Sequence, residues 1–139
     1  MVPPFTQSKR SLLVVDDEAD TRTLLSDYLS AEGFEVVQAR DGIDALSYLY
    51  ARRPAAVLID LCMPRMDGLE LIRQMRTERA LAGVAVVAMS GAPDMLIRAK
   101  EAGAHAVLPK PFDPMVLLRT MRAQAGGALE RRAKAHAVP

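Results

Sequence analysis

The chain has 139 residues, 50% of them hydrophobic and 25% charged, with a net charge of +1. That composition fits one ordinary globular domain with its own core, and it excludes a chain drawn by its overall field to nucleic acid or anionic lipid. The one cysteine, Cys62, excludes an internal disulfide and fits a reducing, cytoplasmic setting, while zero Trp excludes a rich aromatic platform for stacking bases.

Residues 1–9, with Pro3 and Pro4 and no apolar run, read as an N-terminal extension and not as a signal peptide. No stretch reaches the ~20 apolar residues of a membrane-spanning helix. A domain is expected over 10–124, and it divides into alternating apolar runs and helical patterns. The run at 12–15 is nearly continuous, as in a strand buried on both faces of a parallel sheet. Leu24, Leu25, Tyr28 and Leu29 then recur at helical steps, and Gly33 supplies a stop. The run at 35–39 contains Glu35 and Gln38 and suits an exposed edge. Ile43, Leu46, Leu49 and Tyr50 line a second helix. A continuous run at 55–59 precedes a third helix lined by Leu69, Ile72 and Met75. Another run at 84–89 leads to a fourth helix, expected to start at an Asp94 cap and to stop at Gly103. After a run at 106–108, Asp113 and Pro114 mark the cap and first position of a fifth helix carrying Met115, Leu118 and Met121. The residues at 125–139 read as a flexible, basic, Ala-rich tail.

Strand and helix alternate five times, which predicts an α/β fold: an open sheet with helices on both faces and right-handed crossovers. In such sheets ligands bind outside the carboxyl ends of the strands. The first run exits into Asp16, Asp17 and Glu18, the third into Asp60, the fourth into Ser90 and the fifth into Lys110. Each has a plain alternative. The acidic triplet suits a helix N-terminus, Asp60 and Ser90 suit turns, and Lys110 suits a solvated surface. Their joint placement at four strand ends favours one site. Clustered carboxylates repel unless a cation sits among them. With only oxygen ligands on offer, Mg²⁺ fits best, since it takes one or two carboxylates and phosphate oxygens. A lysine and a hydroxyl opposite it suit a phosphoryl group, and an Asp carboxylate is a competent nucleophile toward phosphorus. The expected product is a phosphoaspartate.

Four segments carry a family resemblance: Val14-Val15-Asp16-Asp17-Glu18; Leu58-Ile59-Asp60-Leu61-Cys62-Met63-Pro64-Arg65-Met66-Asp67-Gly68; Met89-Ser90-Gly91; and Leu108-Pro109-Lys110-Pro111-Phe112. In order and spacing they resemble the receiver domain of response regulators. The resemblance implies a flavodoxin-like (βα)5 fold with a doubly wound parallel five-stranded sheet in the order 2-1-3-4-5. It implies Asp60 as phosphoacceptor, Asp17 and Asp60 as direct Mg²⁺ ligands, Asp16 acting through a metal-bound water, and the Cys62 backbone carbonyl as a further ligand. Ser90 takes the switch position, Lys110 binds a phosphoryl oxygen, and the Lys110–Pro111 peptide is often cis. Pro64 and Gly68 shape the loop after Asp60, with Gly68 either relieving crowding or merely tolerated.

The chain departs from the family at Val107, where Tyr or Phe is usual, so readout is expected through the fourth helix and the loop before it. Cys62 and Ala92 stand at positions that tune phosphoryl lifetime, and neither side chain orients a hydrolytic water well, which predicts slow self-dephosphorylation.

The expected function is a phosphoacceptor switch of two-component signalling or a phosphorelay. The donor is a sensor histidine kinase or phosphotransfer protein, and the output is a downstream protein or self-association. Beyond self-phosphorylation from small donors and self-dephosphorylation, no enzyme activity is expected. His105 and His136 are not read as donors, and the short basic run at 131–134 is read as a solvated face. No DNA-reading module is expected in the short tail, so the chain reads either as a stand-alone receiver or as one cut from a longer regulator or hybrid kinase, and no membrane contact is expected. Two rivals remain: a binding module of the same fold that never carries phosphate, and a small phosphohydrolase, for which no segment exists to build a cap.

Overall fold

The computed structural model describes residues 10–63 and 66–127. Pro64, His136, the N-terminal extension and nearly all of the tail lie outside the described residues. Five strands, β1 (Ser11–Val15), β2 (Glu35–Ala39), β3 (Ala56–Asp60), β4 (Ala85–Ser90) and β5 (Ala106–Pro109), alternate with five helices. These are α1 (Ala19–Ala31), α2 (Gly42–Arg52), α3 (Gly68–Thr77), α4 (Pro93–Ala102) and α5 (Pro114–Gly126). All neighbouring strands pair in parallel, in the order β2-β1-β3-β4-β5. This is the doubly wound flavodoxin-like arrangement that the resemblance implied.

The continuous apolar runs follow from burial on both faces. Successive side chains of a strand point to opposite sides. Leu12, Val14, Leu58, Val87 and Met89 point to one side and pack with Leu25 and Leu29 of α1 and with Leu117, Leu118 and Met121 of α5. Leu13, Val15, Val57, Ile59 and Val86 point to the other and pack with Leu49, Leu71, Ile72, Met75 and Ala99. The edge strand β2 alone begins with an exposed residue and reaches full burial only at Ala39.

Four residues of the predicted helical lines are exposed: Leu24 at 71%, Met115 at 56%, Ile43 at 48% and Tyr50 at 39%. Leu24 lies one helical step from the Leu25–Leu29 line that meets the sheet. Ile43 and Met115 belong to first turns, ahead of the buried Ala45 and Leu117. Asp113 caps α5 by accepting from the Met115 amide at 2.7 Å, as its Asp–Pro signature suggested. The fourth helix starts earlier than expected. Its cap is Ala92, which makes no side-chain cap bond; Pro93 opens the helix and Asp94 falls in the first turn. There Asp94 still complements the helix dipole. Gly103 ends α4 in the left-handed region at φ 117°. Helix α5 continues through Gly126, two residues past the expected end of the domain at 124. Among the described residues no helix is long and apolar enough to cross a membrane.

Candidate functional site

Parallel pairing brings the exits of β1, β3, β4 and β5 to one edge of the sheet. Val15 pairs with Ile59, Asp60 with Met89, and Ser90 with Pro109. One carboxylate oxygen from each of Asp16, Asp17 and Asp60 lies within 4.8 Å of the other two. Asp16 and Asp60 are buried and Asp17 is exposed. Opposite them, the Lys110 ammonium stands 3.5 Å from Asp60 Oδ1. Ser90 is buried beside Asp60's strand, and its hydroxyl oxygen accepts from the Ala92 amide at 3.0 Å. The Lys110–Pro111 peptide is cis. Asp16, Asp17, Asp60, Ser90 and Lys110, assigned from sequence to one site, therefore do share one edge.

The acidic side of the site is held by backbone. Asp16 donates its amide to the Ala39 carbonyl at 3.1 Å, and its Oδ1 accepts from the Glu18 amide at 3.0 Å. Asp60 Oδ1 accepts from the Cys62 amide at 3.2 Å, while the Cys62 side chain is exposed. Burial, above all, raises the Asp16 pKa from its ordinary value. The Glu18 amide opposes this, the nearby Asp60 charge adds to it, Lys110 opposes it and Asp17 adds to it.

The loop after Asp60 settles the role of Gly68. A Cβ there would lie 2.7 Å from Leu61 Cα and 2.8 Å from the Asp60 carbonyl oxygen. Both are backbone atoms that cannot swing aside, so Gly68 relieves crowding and is not merely tolerated. Sequence reasoning missed a second such position. A Cβ on Gly42 would meet Met66 Cβ at 2.7 Å and its carbonyl oxygen at 2.8 Å. No local signal marks it, because the contact joins α2 to the loop before α3. Arg22 was missed too. It donates to the Asp16 carbonyl at 2.8 Å and to Gln38 Oε1 at 3.2 Å, yet in sequence it is one more arginine on a helix.

The residues fit a hard divalent cation. Asp16 Oδ2 is buried and has no hydrogen-bond partner. A buried carboxylate oxygen without a partner is costly, and a cation or its water is the ligand that would satisfy it. The three side chains gathered there all offer carboxylate oxygen, the donor set of Mg²⁺ and not of a softer metal.

The family model for the response regulator receiver domain matches residues 12–122. The chain belongs to that family. It is 40% identical over 112 residues to the response regulator MprA of Mycobacterium sp. (strain KMS), a match covering 81% of this chain and 49% of that protein. The chain thus spans about half the length of the curated relatives it matches. Among solved structures it resembles the receiver domain of NtrX from Brucella abortus, with a TM-score of 0.77, 32% identity, and coverage of 83% of this chain and 98% of that one. It also resembles the chemotaxis protein CheY4 of Vibrio cholerae, with a TM-score of 0.74, 29% identity, and coverage of 86% and 98%. In this receiver domain the acidic cluster and Lys110 occupy the carboxyl edge of the sheet, where ligands of such folds bind.

Proposed function

We propose that this receiver domain is a phosphoacceptor switch of two-component signalling, with Asp60 as the residue phosphorylated. One observation carries the reading: the Asp60 carboxylate lies within 4.8 Å of those of Asp16 and Asp17 and 3.5 Å from the Lys110 ammonium. A phosphoryl group placed on Asp60 would meet a cation site and an ammonium together.

In this reading the Asp60 carboxylate attacks the phosphorus of a phosphohistidine on a sensor kinase or phosphotransfer protein. An O–P bond forms as the N–P bond breaks, and the imidazole leaves with the electron pair. Asp17, Asp60 and the Cys62 carbonyl would hold Mg²⁺, and Asp16 would act on it through water. The ion, when bound, neutralises charge on the transferring oxygens. Lys110 supplies a charge-assisted hydrogen bond to the phosphoryl oxygens. The Ser90 hydroxyl turns toward the same group. That rotation releases the Ala92 amide, which now donates to Ser90 Oγ at the cap of α4. The change therefore starts at the residues that begin α4. Val107, partly buried and packed against the core between α4 and the sheet, has no ring to swing. The readout surface is then α4 and the loop before it, offered to a downstream protein or a second copy, in the cytoplasm.

The chain turns over no separate substrate; its own chemistry is phosphoryl gain and slow loss. Cys62 and Ala92 leave the hydrolytic water without an orienting acid or amide, so Cys62→Asn should shorten the phosphoryl lifetime several-fold. An unchanged decay would remove Cys62 as a tuning position. The bond type tests the reading as a whole. A phosphoryl group gained from acetyl phosphate with Mg²⁺ should be released by hydroxylamine, which cleaves acyl phosphates; resistance would place it on a hydroxyl instead.

A further inference from the structure

Asp16 has four polar groups: an amide, a carbonyl and two carboxylate oxygens. Three are tied to the protein. The amide goes to Ala39, Oδ1 takes the Glu18 amide, and the carbonyl takes Arg22 Nη1 at 2.8 Å. Only Oδ2 is left without a partner, and it is buried. Arg22 makes the one bond of the three that comes from another side chain. Its own position is also fixed, because Nε donates to Gln38 Oε1 on the edge strand β2 at 3.2 Å. The guanidinium therefore bridges β2 to the peptide that joins Asp16 to Asp17. A planar fork with fixed donors suits such a bridge; an ammonium presents no such pair of directions.

We propose that Arg22 is a positioning residue for the cation site, holding the Asp16–Asp17 peptide so that Asp16 Oδ2 and the Asp17 carboxylate face the same ion. This rests on the reading of Asp16, Asp17 and Asp60 as a divalent-cation site. Rotation of that peptide would move both carboxylates at once, since it lies between them. The Asp16 amide and Oδ1 bonds fix one side of the residue; the Arg22 bond fixes the other.

Electrostatics and positioning predict opposite signs, which makes the inference testable. Removing a positive charge near three carboxylates should, by Coulomb attraction alone, tighten cation binding. Removing a positioning bond should weaken it. Orienting partners of metal ligands are worth about 10–100-fold in affinity, and Arg22, acting through a backbone carbonyl, should give about tenfold. The experiment is direct titration of the metal-free full chain with Mg²⁺ by calorimetry, and with Mn²⁺ by the loss of its free-ion electron paramagnetic resonance signal. The variants are Arg22→Met, Arg22→Lys and Gln38→Met.

Arg22→Met should weaken binding about tenfold at the low end of that range, Arg22→Lys by less, and Gln38→Met least. Equal or tighter binding in Arg22→Met overturns the inference. If Arg22→Met fails to fold, Arg22→Lys and Gln38→Met carry the test, and unchanged affinity in both overturns it. Absence of binding in the parent chain would instead sink the cation-site reading itself. The phosphorylation rate from acetyl phosphate gives an independent readout. Arg22→Met should need more Mg²⁺ to reach half-maximal rate while the rate at saturating Mg²⁺ stays close to the parent's. A fall in the saturated rate with no change in Mg²⁺ demand would assign Arg22 a different role.

Discussion

The loop from β3 to α3 has no room at its glycine and ends in a side-chain cap; the loop from β4 to α4 has room at its glycine and no such cap. Asp16 and Asp60 each accept a backbone amide, and Gly68 packs against Leu61 Cα with no room for a methyl group. Ser90 Oγ likewise accepts the Ala92 amide and its carbonyl takes the Lys110 amide at 2.9 Å, but α4 begins without a side-chain cap. A Cβ built on Gly91 would meet nothing within 4 Å. If the site holds a cation and passes on a change of state, as proposed, it needs both kinds of construction. The acidic half is preorganised, and the half facing it has space to move.

The largest effect short of losing Asp60 should come from Lys110. It places an ammonium 3.5 Å from the acceptor, so Lys110→Met should slow phosphoryl gain by about 10²-fold, the scale for removing one preorganised charged donor. A rate within threefold of the parent, read by time-resolved intact mass, would take Lys110 out of the transition state. Mg²⁺ affinity should not fall with it, because the acidic half stands without the lysine.

The two glycines sharpen the contrast between halves. Gly68→Ala forces a methyl into backbone at 2.7 Å and should cost about 1–3 kcal/mol, as overpacking does. Gly91→Ala should change stability by no more than about 0.5 kcal/mol. Chemical denaturation of both variants checks the pair. Equal costs would mean that the two loops are held alike.

A smaller effect separates the cation-free state from the bound one. Burial, above all, raises the Asp16 pKa, so the folded protein holds that proton more tightly than the unfolded chain. The group therefore favours folding at low pH, and that contribution is lost as pH rises through the folded pKa. Without divalent cation, Asp16→Asn should raise the melting temperature by a few degrees at neutral pH, and the gain should shrink on acidification. Added Mg²⁺ should stabilise the parent by mass action more than the variant. A variant less stable than the parent in chelator at neutral pH would contradict this.

Much of the site was legible because each strand end carries its own marker. Asp60, Ser90 and Lys110 close continuous apolar runs, and a parallel sheet aligns such ends. The fold was legible for the same reason, since runs buried on both faces lack the alternation of a half-exposed strand. What stayed hidden depends on contacts distant in sequence. The need for glycine at Gly68 arises from Leu61 Cα, and that at Gly42 from Met66. Arg22 shows its role only once the Asp16 carbonyl and Gln38 lie beside it. The start of α4 was misplaced because Asp is a strong cap by preference, whereas here Pro93 fixes the first turn and leaves the weak cap to Ala92. Leu24 reads as core by its step from Tyr28, yet it lies off the arc that meets the sheet.

Intact-protein mass after incubation with acetyl phosphate and Mg²⁺, with Asp60→Asn alongside, tests Asp60 most directly. The parent should gain one phosphoryl group, lose the gain when Mg²⁺ is chelated beforehand, and show none in Asp60→Asn. An equal gain in Asp60→Asn, or no gain in the parent from either acetyl phosphate or a phosphohistidine protein, would contradict Asp60 as the acceptor.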